Sequence, residues 1–380
     1  MDFSYPPEVE QFRKELRAWL AANLTDEVVA AGRRRGRDPD TFETLRAWDA
    51  TLADAGWGAV SWPQEYGGRG AGVLEQLAYA EETIHARAPV PLNVIGMNNI
   101  APAIMQYGTD AQKRELLPRM VRADDIWCQG MSEPEAGSDL ASLRTRALRD
   151  GDHFVVNGQK IWTSLGHRAD WCQLYVRTDP EVPKHKGISC LIVDMTLPGI
   201  EVRPLVTING ASDFAEIFFT DVRVRTDALL GPLNAGWQVA TTTLSHERAG
   251  AARLYAQLEM QLQDLVADLT DAGLMEDGVT LRRLGEVAVR IKYLEVLCQR
   301  SISATLHGGD ALGSASLAKS VWAEIGQELA ALAFDVLGPL GGPRRWTEYR
   351  LTSRSLTIAG GTTQINKSVT ATRVLGLPRK

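Results

Sequence analysis

Cysteine is scarce in this chain of 380 residues. Its four thiols, Cys128, Cys172, Cys190 and Cys298, are scattered and form no CxxC pair. That excludes a disulfide framework and a cysteine-based metal site, so no metal is expected, and it fits a reducing cytoplasm. Blocks of one charge are also missing. Lys and Arg total 41 against 47 Asp and Glu, a net charge of −6, and the one basic run, Arg33-Arg34-Arg35-Gly36-Arg37, reads as a loop between helices. Nucleic-acid binding is therefore not expected. No apolar run is long enough to span a membrane, and the opening Met1-Asp-Phe-Ser-Tyr-Pro-Pro lacks the basic start and apolar core of a signal peptide. Internal repeats and low-complexity segments are absent too. What is present is ordinary for a globular protein, 44% hydrophobic and 23% charged residues, over a length that suggests two or three domains with ample core.

The periodicity divides the chain into three zones. Up to about residue 122 it is helical: Val9, Phe12, Leu16, Trp19 and Leu20 form one apolar face after Pro6-Pro7, Phe42, Leu45, Trp48 and Leu52 form another, and Thr109-Asp110 can cap a helix through Leu116-Leu117. Trp62-Pro-Gln-Glu-Tyr-Gly-Gly-Arg-Gly70 reads as a loop. From roughly 125 to 225 short strands alternate with turn residues, as in a small barrel or sandwich. Asn157-Gly158, between two strand-like runs, predicts a hairpin. From about 232 the pattern is helical again, with long helices expected at 236–271, 280–306, 315–337 and 363–375, and Gly338 to Pro343 separating the third from the fourth. The expected domains are 1–122, helical; 123–228, a β domain; and 229–380, a helical bundle.

Glu247 stands out in the third zone. Trp237, Ala240, Leu244, Ala251, Leu254 and Leu258 recur in threes and fours, the buried stripe of an amphipathic helix, and Glu247 fills the one slot that is not apolar. A carboxylate against apolar surface has its charged form disfavoured and its pKa raised, the environment of a general base that takes a proton from carbon. A buried Glu paired with an Arg fits the position equally, so other motifs must decide.

Three motifs carry further chemistry. Met131-Ser-Glu-Pro-Glu-Ala-Gly-Ser-Asp-Leu-Ala-Ser142 offers amides and hydroxyls in a tight loop that can bond a flat polar ring or a phosphate; alone it is equally a capped turn. In Asn157-Gly-Gln-Lys-Ile-Trp-Thr-Ser164 an indole at a strand end is followed by two hydroxyls, so Trp162 can stack on a planar ligand, or be a core residue at a sheet edge. In Thr357-Ile-Ala-Gly-Gly-Thr-Thr-Gln-Ile365 two glycines before a helix allow close approach to a ligand, or simply precede an N-cap at Thr362 or Thr363.

In this order and context the motifs resemble the acyl-CoA dehydrogenase family, nearly end to end. The Ser-Glu-Pro-x-Ala-Gly-Ser-Asp element is the most specific, supported by Asn-Gly-x-Lys-x-Trp-Thr/Ser, Gly-Gly-Thr-x-Gln-Ile and Leu-Gly-Leu-Pro. The resemblance implies an α+β multidomain fold: an N-terminal helical domain, a middle β-barrel or sandwich domain and a C-terminal four-helix bundle. It implies FAD between the β domain and the C-terminal helices. The activity implied is oxidation of the Cα–Cβ bond of an acyl-CoA thioester to a trans-2-enoyl-CoA, by α-proton abstraction and β-hydride transfer to flavin N5. An electron-transfer flavoprotein is the implied acceptor.

Carried over residue by residue, Met131 and Ser132 would line the flavin ring, Trp162 would stack near its dimethylbenzene side and Ser164 would approach N5. Gly137 and Ser138 would lie in the cofactor loop, with Ser138 also touching CoA. Thr362 and Gln364 would meet the adenosine of FAD. Many members place the catalytic Glu just before the Gly-Thr of the last motif, where this chain has Gly360. A minority similar to the isovaleryl-CoA and long-chain enzymes place it on the first long C-terminal helix before an Arg, and here Glu247-Arg248 stand there. Glu247 is thus the implied base, Arg248 a substrate-side residue, and the Gly360 backbone N–H a donor to the thioester oxygen.

Two departures bear on assembly. An Arg-x-x-Phe-Gly motif that contacts the FAD diphosphate of a neighbouring subunit is absent from 277–286, and the usual Gln-x-x-Gly-Gly reads Asp335-Val-Leu-Gly-Pro339. Both weaken cross-subunit FAD contacts; Arg282 or Arg283 is the candidate substitute. Such losses occur in bacterial members built as α2β2 complexes, including those degrading steroid side chains, so a homotetramer and an α2β2 assembly with a homologous subunit both stay open. The N-terminal motifs also look like actinobacterial members of that kind, which makes a bulky, branched or ring-bearing acyl group the expected substrate. Two alternatives share the fold: a flavin oxidase or monooxygenase, and a non-catalytic subunit of an α2β2 acyl-CoA dehydrogenase.

Overall fold

The computed structural model describes residues 5–34, 38–249, 254–309, 312–338 and 342–378, with only the backbone of 244–249 and 312. Six helices come first: α1 (Pro7–Asn23), α2 (Asp26–Arg34), α3 (Pro39–Asp54), α4 (Val73–His85), α5 (Ala101–Tyr107) and α6 (Asp110–Val121). Seven strands follow: β1 (Trp127–Gly130), β2 (Arg146–Asp150), β3 (His153–Ser164), β4 (Trp171–Arg177), β5 (Ile188–Asp194), β6 (Ile200–Leu205) and β7 (Phe214–Arg225). The rest is helical: α7 (Gly236–Ala249), α8 (Leu254–Asp271), α9 (Gly278–Leu306), α10 (Leu312–Leu337), α11 (Arg344–Thr352) and α12 (Thr363–Arg373). The helix expected over 236–271 is described as α7 and α8, with 250–253 outside the described residues. The helix α11 was not anticipated from the sequence. The chain forms two compact units, one of residues 1–24, 71–88 and 248–380, the other of 25–70 and 89–247, and the division in the third zone falls between Glu247 and Arg248.

The second unit is built on one seven-stranded sheet in the order β1-β4-β2-β3-β7-β6, with β5 on β4. Alternating side chains of these strands (Phe154, Val156, Leu174, Val176, Leu191, Val193, Ile217, Phe219, Val222 and Val224) make one apolar core. A second core joins Ile100, Ile104, Leu117 and Met120 to Trp127, Tyr175, Val239 and Ala240. Thr109 caps α6 through a reciprocal pair with Gln112, as its spacing predicts.

Asn157-Gly158 does not form the expected hairpin. The strand β3 runs straight through it, and the chain reverses earlier, at Gly151 (φ 60°), so that β2 and β3 pair antiparallel. Gly158 is needed for another reason: a Cβ there would lie 2.5 Å from Thr145 Oγ1 and 2.7 Å from its Cα. Opposite, β7 carries an extra residue between Phe219 and Val222, and Asp221 takes a left-handed φ of 50°. Asn157 holds that bulge by accepting from the Asp221 N–H and donating to its carboxylate, both at 3.0 Å. Asn and Gly suit a bulge as they suit a turn, since both serve tight backbone geometry.

The first unit is helical. Buried leucines and isoleucines of α8 (Leu258, Leu265, Leu269), α9 (Leu284, Ile291, Leu294) and α10 (Ile325, Leu329, Leu332) form its core, with Leu77 of α4 added. Each such side chain contributes about 1.5–3 kcal/mol of burial. On α1, Val9, Phe12, Leu16 and Leu20 of the predicted face are buried while its Trp19 is only half-buried, and Arg13 and Arg17 both reach Glu82 of α4. Gly338, with φ 75°, comes directly after the last residue of α10, where a left-handed glycine ends a helix.

Candidate functional site

In the second unit the Met131 loop and the end of β3 are fastened to each other. The loop closes on itself by the Glu133 N–H donating to Ala136 O at 3.1 Å and the Ala136 N–H donating back at 3.0 Å. Ile161 N–H donates to Ser132 O at 2.9 Å. Beneath it Lys160, wholly buried, donates to Met131 O at 3.0 Å and to Glu133 Oε1 at 2.8 Å. Glu133 also accepts from the backbone N–H groups of Arg144 and Thr145, at 2.6 and 2.9 Å. Burial alone would raise the Glu133 carboxyl, but Lys160 and these donors hold it below the usual carboxylate range; burial pushes the Lys160 ammonium down and Glu133 opposes that.

One residue later β3 bulges. Lys160 pairs with Ile217 and Thr163 with Ala215, so β3 spends an extra residue across Ile161-Trp162. Trp162 takes φ 61°, costly for a bulky side chain. The bulge turns its indole outward, 58% exposed, with Phe214 edge-on at 6.0 Å. It is therefore not the core residue that its position at a strand end also allowed. Ser164 is half-buried two residues on. Gly137 and Ser138 are exposed, and the next residue, Asp139, accepts from Lys184 at 2.7 Å and Ser142 at 2.5 Å. Thus Met131, Ser132, Trp162 and Ser164 are brought to one end of β3.

In the first unit Gly360 and Gly361 have φ of 65° and 88°, a pair of left-handed positions that glycine adopts freely. Lys319 of α10 donates to Leu356 O and Gly361 O, at 2.9 and 2.8 Å, and buried Asn366 donates to Gly361 O at 2.7 Å. Thr362 is the N-cap of α12, its hydroxyl accepting from Ile365 N–H at 3.2 Å, and Gln364 is exposed. Arg283 donates to Asp335 at 2.9 Å, so two positions of the altered motifs engage each other.

Glu247 and Arg248 lie on α7, but their side chains fall outside the described residues, as do Leu244 and Ala251 of the expected stripe. Of that stripe Ala240 and Leu258 are buried, while Trp237 and Leu254 are half-buried. One turn before Glu247, Thr243 is buried and meets Tyr175 OH at 3.2 Å.

Sequence reasoning missed Glu133, Lys160, Lys319 and Asn366. A signal for Lys160 existed: it continues the alternation of buried Phe154 and Val156 on β3, where a lysine demands a buried partner. Lys319 and Asn366 gave no local signal. Among the described residues no group of three His, Cys, Asp or Glu side chains is placed to hold a metal ion, and the four cysteines are free and buried. No described helix is long and apolar enough to cross a membrane.

A helical part, a middle β part closing as a half-barrel, and a second helical part, with an indole turned out at a strand bulge, define the acyl-CoA dehydrogenase fold. The N-terminal, middle and C-terminal acyl-CoA dehydrogenase domain families match residues 6–124, 128–222 and 234–375. The chain belongs to the acyl-CoA dehydrogenase family, an oxidoreductase acting on acyl-CoA. It is 38% identical over 386 residues to acyl-CoA dehydrogenase IpdE1 of Mycobacterium tuberculosis, covering 98% of this chain and 99% of that one. Among solved structures it is similar to the Tcur3481-Tcur3483 steroid ACAD (TM-score 0.88, 32% identity, 100% of both chains). It is also similar to the ChsE4-ChsE5 complex from Mycobacterium tuberculosis (TM-score 0.83, 34% identity, 100% of both).

Proposed function

We infer that the chain dehydrogenates an acyl-CoA thioester between Cα and Cβ, giving the trans-2-enoyl-CoA, with FAD as its cofactor. The observation that carries the cofactor is Trp162: an exposed indole locked by a bulge is a flat surface built for a planar ring. The loop of Met131 and Ser132, pinned by Lys160, fits the same ring, and Ser164 fits a ring heteroatom. Gly137 and Ser138 extend that loop, with Ser138 also towards CoA. The two left-handed glycines and the N-terminus of α12, with Thr362 and Gln364, fit the adenosine end. Bound there, FAD supplies the acceptor for the hydride leaving Cβ.

The roles of the chain's own groups come from the chemistry. The α-proton of a thioester is weakly acidic, so its removal needs a carboxylate poised near neutrality, and Glu247 takes it. The Gly360 N–H donates to the thioester oxygen and stabilises the developing enolate charge; a backbone donor there needs no side chain. Arg248, the residue after the base, is assigned to the substrate by its place in the motif. The domains that supply these groups are 1–122, 123–228 and 229–380.

The acyl group is bulky, branched or ring-bearing, a reading supported by the name of the steroid ACAD to which the chain is similar. An electron-transfer flavoprotein is the acceptor, the assembly is a homotetramer or an α2β2 complex with a homologous subunit, and the location is the cytoplasm, in keeping with four unpaired cysteines. The test is the visible spectrum of the purified protein under anaerobic conditions, before and after straight-chain, branched and steroid-derived acyl-CoAs. A yellow protein bleached by the ring-bearing or branched thioesters is the expected result. A yellow protein that none of them bleaches contradicts the assigned reaction.

A further inference from the structure

The second unit holds a line of buried amides that has no part in the proposed reaction. Asn99 Nδ2 donates to Gln129 Oε1 at 3.4 Å, Gln129 Nε2 donates to Gln173 Oε1 at 3.0 Å, and Gln173 Nε2 donates to Thr243 Oγ1 at 3.4 Å. Asn99 is 6% exposed, Gln173 and Thr243 are fully buried, and Gln129 is half-buried. The sheet sets up the middle of the line. Gln129 of β1 and Gln173 of β4 are register partners, and by alternation they share a face with Trp127 and Tyr175, in the core of Ile100, Ile104, Val239 and Ala240. Asn99 enters from a single π turn, Gly96–Ile100, directly before α5; such wide turns occur mostly at functional sites.

Apolar side chains of the same size would fill this core at lower cost, because each buried amide must have its polar atoms satisfied. One end of the line is closed: Thr243 meets the Tyr175 hydroxyl at 3.2 Å. The other end is open. Asn99 spends one N–H on Gln129, and its second N–H and its carbonyl oxygen have no partner among the described residues. A carboxamide can both donate and accept, and no charged side chain belongs to the line, so the open end suits a neutral oxygen group and not an ion.

Its place indicates which ligand carries that group. Thr243 stands four residues before Glu247, about 6 Å along α7, and Gln129 stands two residues before Met131. In the proposed reaction the bond to be oxidised lies between that base and that loop, so the acyl group beyond Cβ passes the amides. We propose that Asn99, backed by Gln129 and Gln173, binds a hydroxyl or ketone on the acyl group, and that the site thereby selects oxygenated ring-bearing acyl-CoAs over their hydrocarbon counterparts. The proposal rests on the acyl-CoA dehydrogenase reading of the same site.

Binding is measured without turnover, using CoA thioethers, which lack the thioester carbonyl and so have no acidic α-proton. Calorimetry of the purified FAD-loaded protein compares cyclohexylpropyl-CoA with its forms bearing a hydroxyl or a ketone at each ring position. At least one oxygenated form should bind about threefold to tenfold tighter than the hydrocarbon, the worth of one neutral hydrogen bond. That ratio should fall towards parity in Asn99→Leu and in Gln129→Leu. Because the ratio is taken within each protein, a general loss of stability does not imitate the effect. The proposal is overturned by a native protein that shows no oxygen preference or binds none of these ligands, and by a preference that survives both variants. Flavin bleaching by the matching thioesters is recorded separately. Bleaching without an oxygen preference overturns this proposal alone, and an oxygen preference without bleaching overturns the assigned reaction alone.

Discussion

The ammonium of Lys160 lies 2.8 Å from Glu133 Oε1 with no exposure to solvent, and it also holds the carbonyl of Met131. With the Ile161–Ser132 bond, this side chain ties the loop expected to line the cofactor to the strand whose bulge presents Trp162. A buried pair is costly to break on one side, because the remaining charge is left without a counterion.

Lys160→Met is therefore expected to destabilise the protein by about 3–5 kcal/mol and to weaken FAD retention. Glu133→Gln is expected to be similarly damaging. Lys160→Met combined with Glu133→Met removes both charges and is expected to cost less than the sum of the singles. Denaturant titration of the three proteins checks this; strict additivity contradicts the coupling.

Trp162 is predicted to matter for the ligand and not for the fold. Trp162→Ala should leave the stability of the apoprotein within about 0.5 kcal/mol, since the ring is exposed and its left-handed backbone is already strained. It should weaken FAD binding by roughly threefold to tenfold, the worth of an aromatic stack. Fluorescence titration of apoprotein with FAD reads the second number and thermal unfolding the first.

Gly158→Ala tests the bulge that replaced the expected hairpin. The added methyl meets Thr145 Oγ1 at 2.5 Å and Thr145 Cα at 2.7 Å, backbone included, so β2 and β3 must separate. A loss of about 2 kcal/mol or more is expected, against about 1 kcal/mol for Asn157→Ala, which removes only exposed hydrogen bonds. Equal effects would contradict the steric account.

These two sites on β3 show what the sequence made legible. Periodicity located most of the longer helices and most of the strands, because each of these buries one face, while α2, α4, α5 and α11 had no separate reading. Motif residues at 131–138, 157–164 and 357–365 marked the loops and the strand end that we propose face the ligand. The local meaning of Asn157-Gly158 was not legible, since bulges and turns demand the same backbone freedom and only the partner strand, with Asp221, distinguishes them. The supports of the loops were hidden for a similar reason: Lys319 and Asn366 act on a carbonyl about 40 and 5 residues away, through contacts that no spacing rule encodes.

Asp49 gives a prediction for pH. Its side chain is buried; one oxygen accepts from Leu92 N–H at 2.8 Å while the other has no partner among the described residues. Burial pushes its pKa up to about 7, although the N–H groups of Leu92 and Asn93 oppose the rise. The native state therefore binds a proton that the unfolded chain has released between about pH 4 and pH 7, so this group lowers stability as pH rises across that window, with no further change above it. Asp49→Asn removes the dependence, and its advantage over the native protein should grow by about 1–4 kcal/mol between pH 4 and pH 8. Urea midpoints across that range check it; parallel curves for the two proteins contradict the assignment.

The central claim rests on Glu247. The most direct measurement is anaerobic mixing of the FAD-loaded Glu247→Gln variant with an acyl-CoA that bleaches the native protein, monitored in the visible spectrum. The account predicts a yellow variant that keeps its FAD and does not bleach, because the amide cannot take the α-proton. Bleaching of the variant at the native rate would place the base elsewhere and contradict the account.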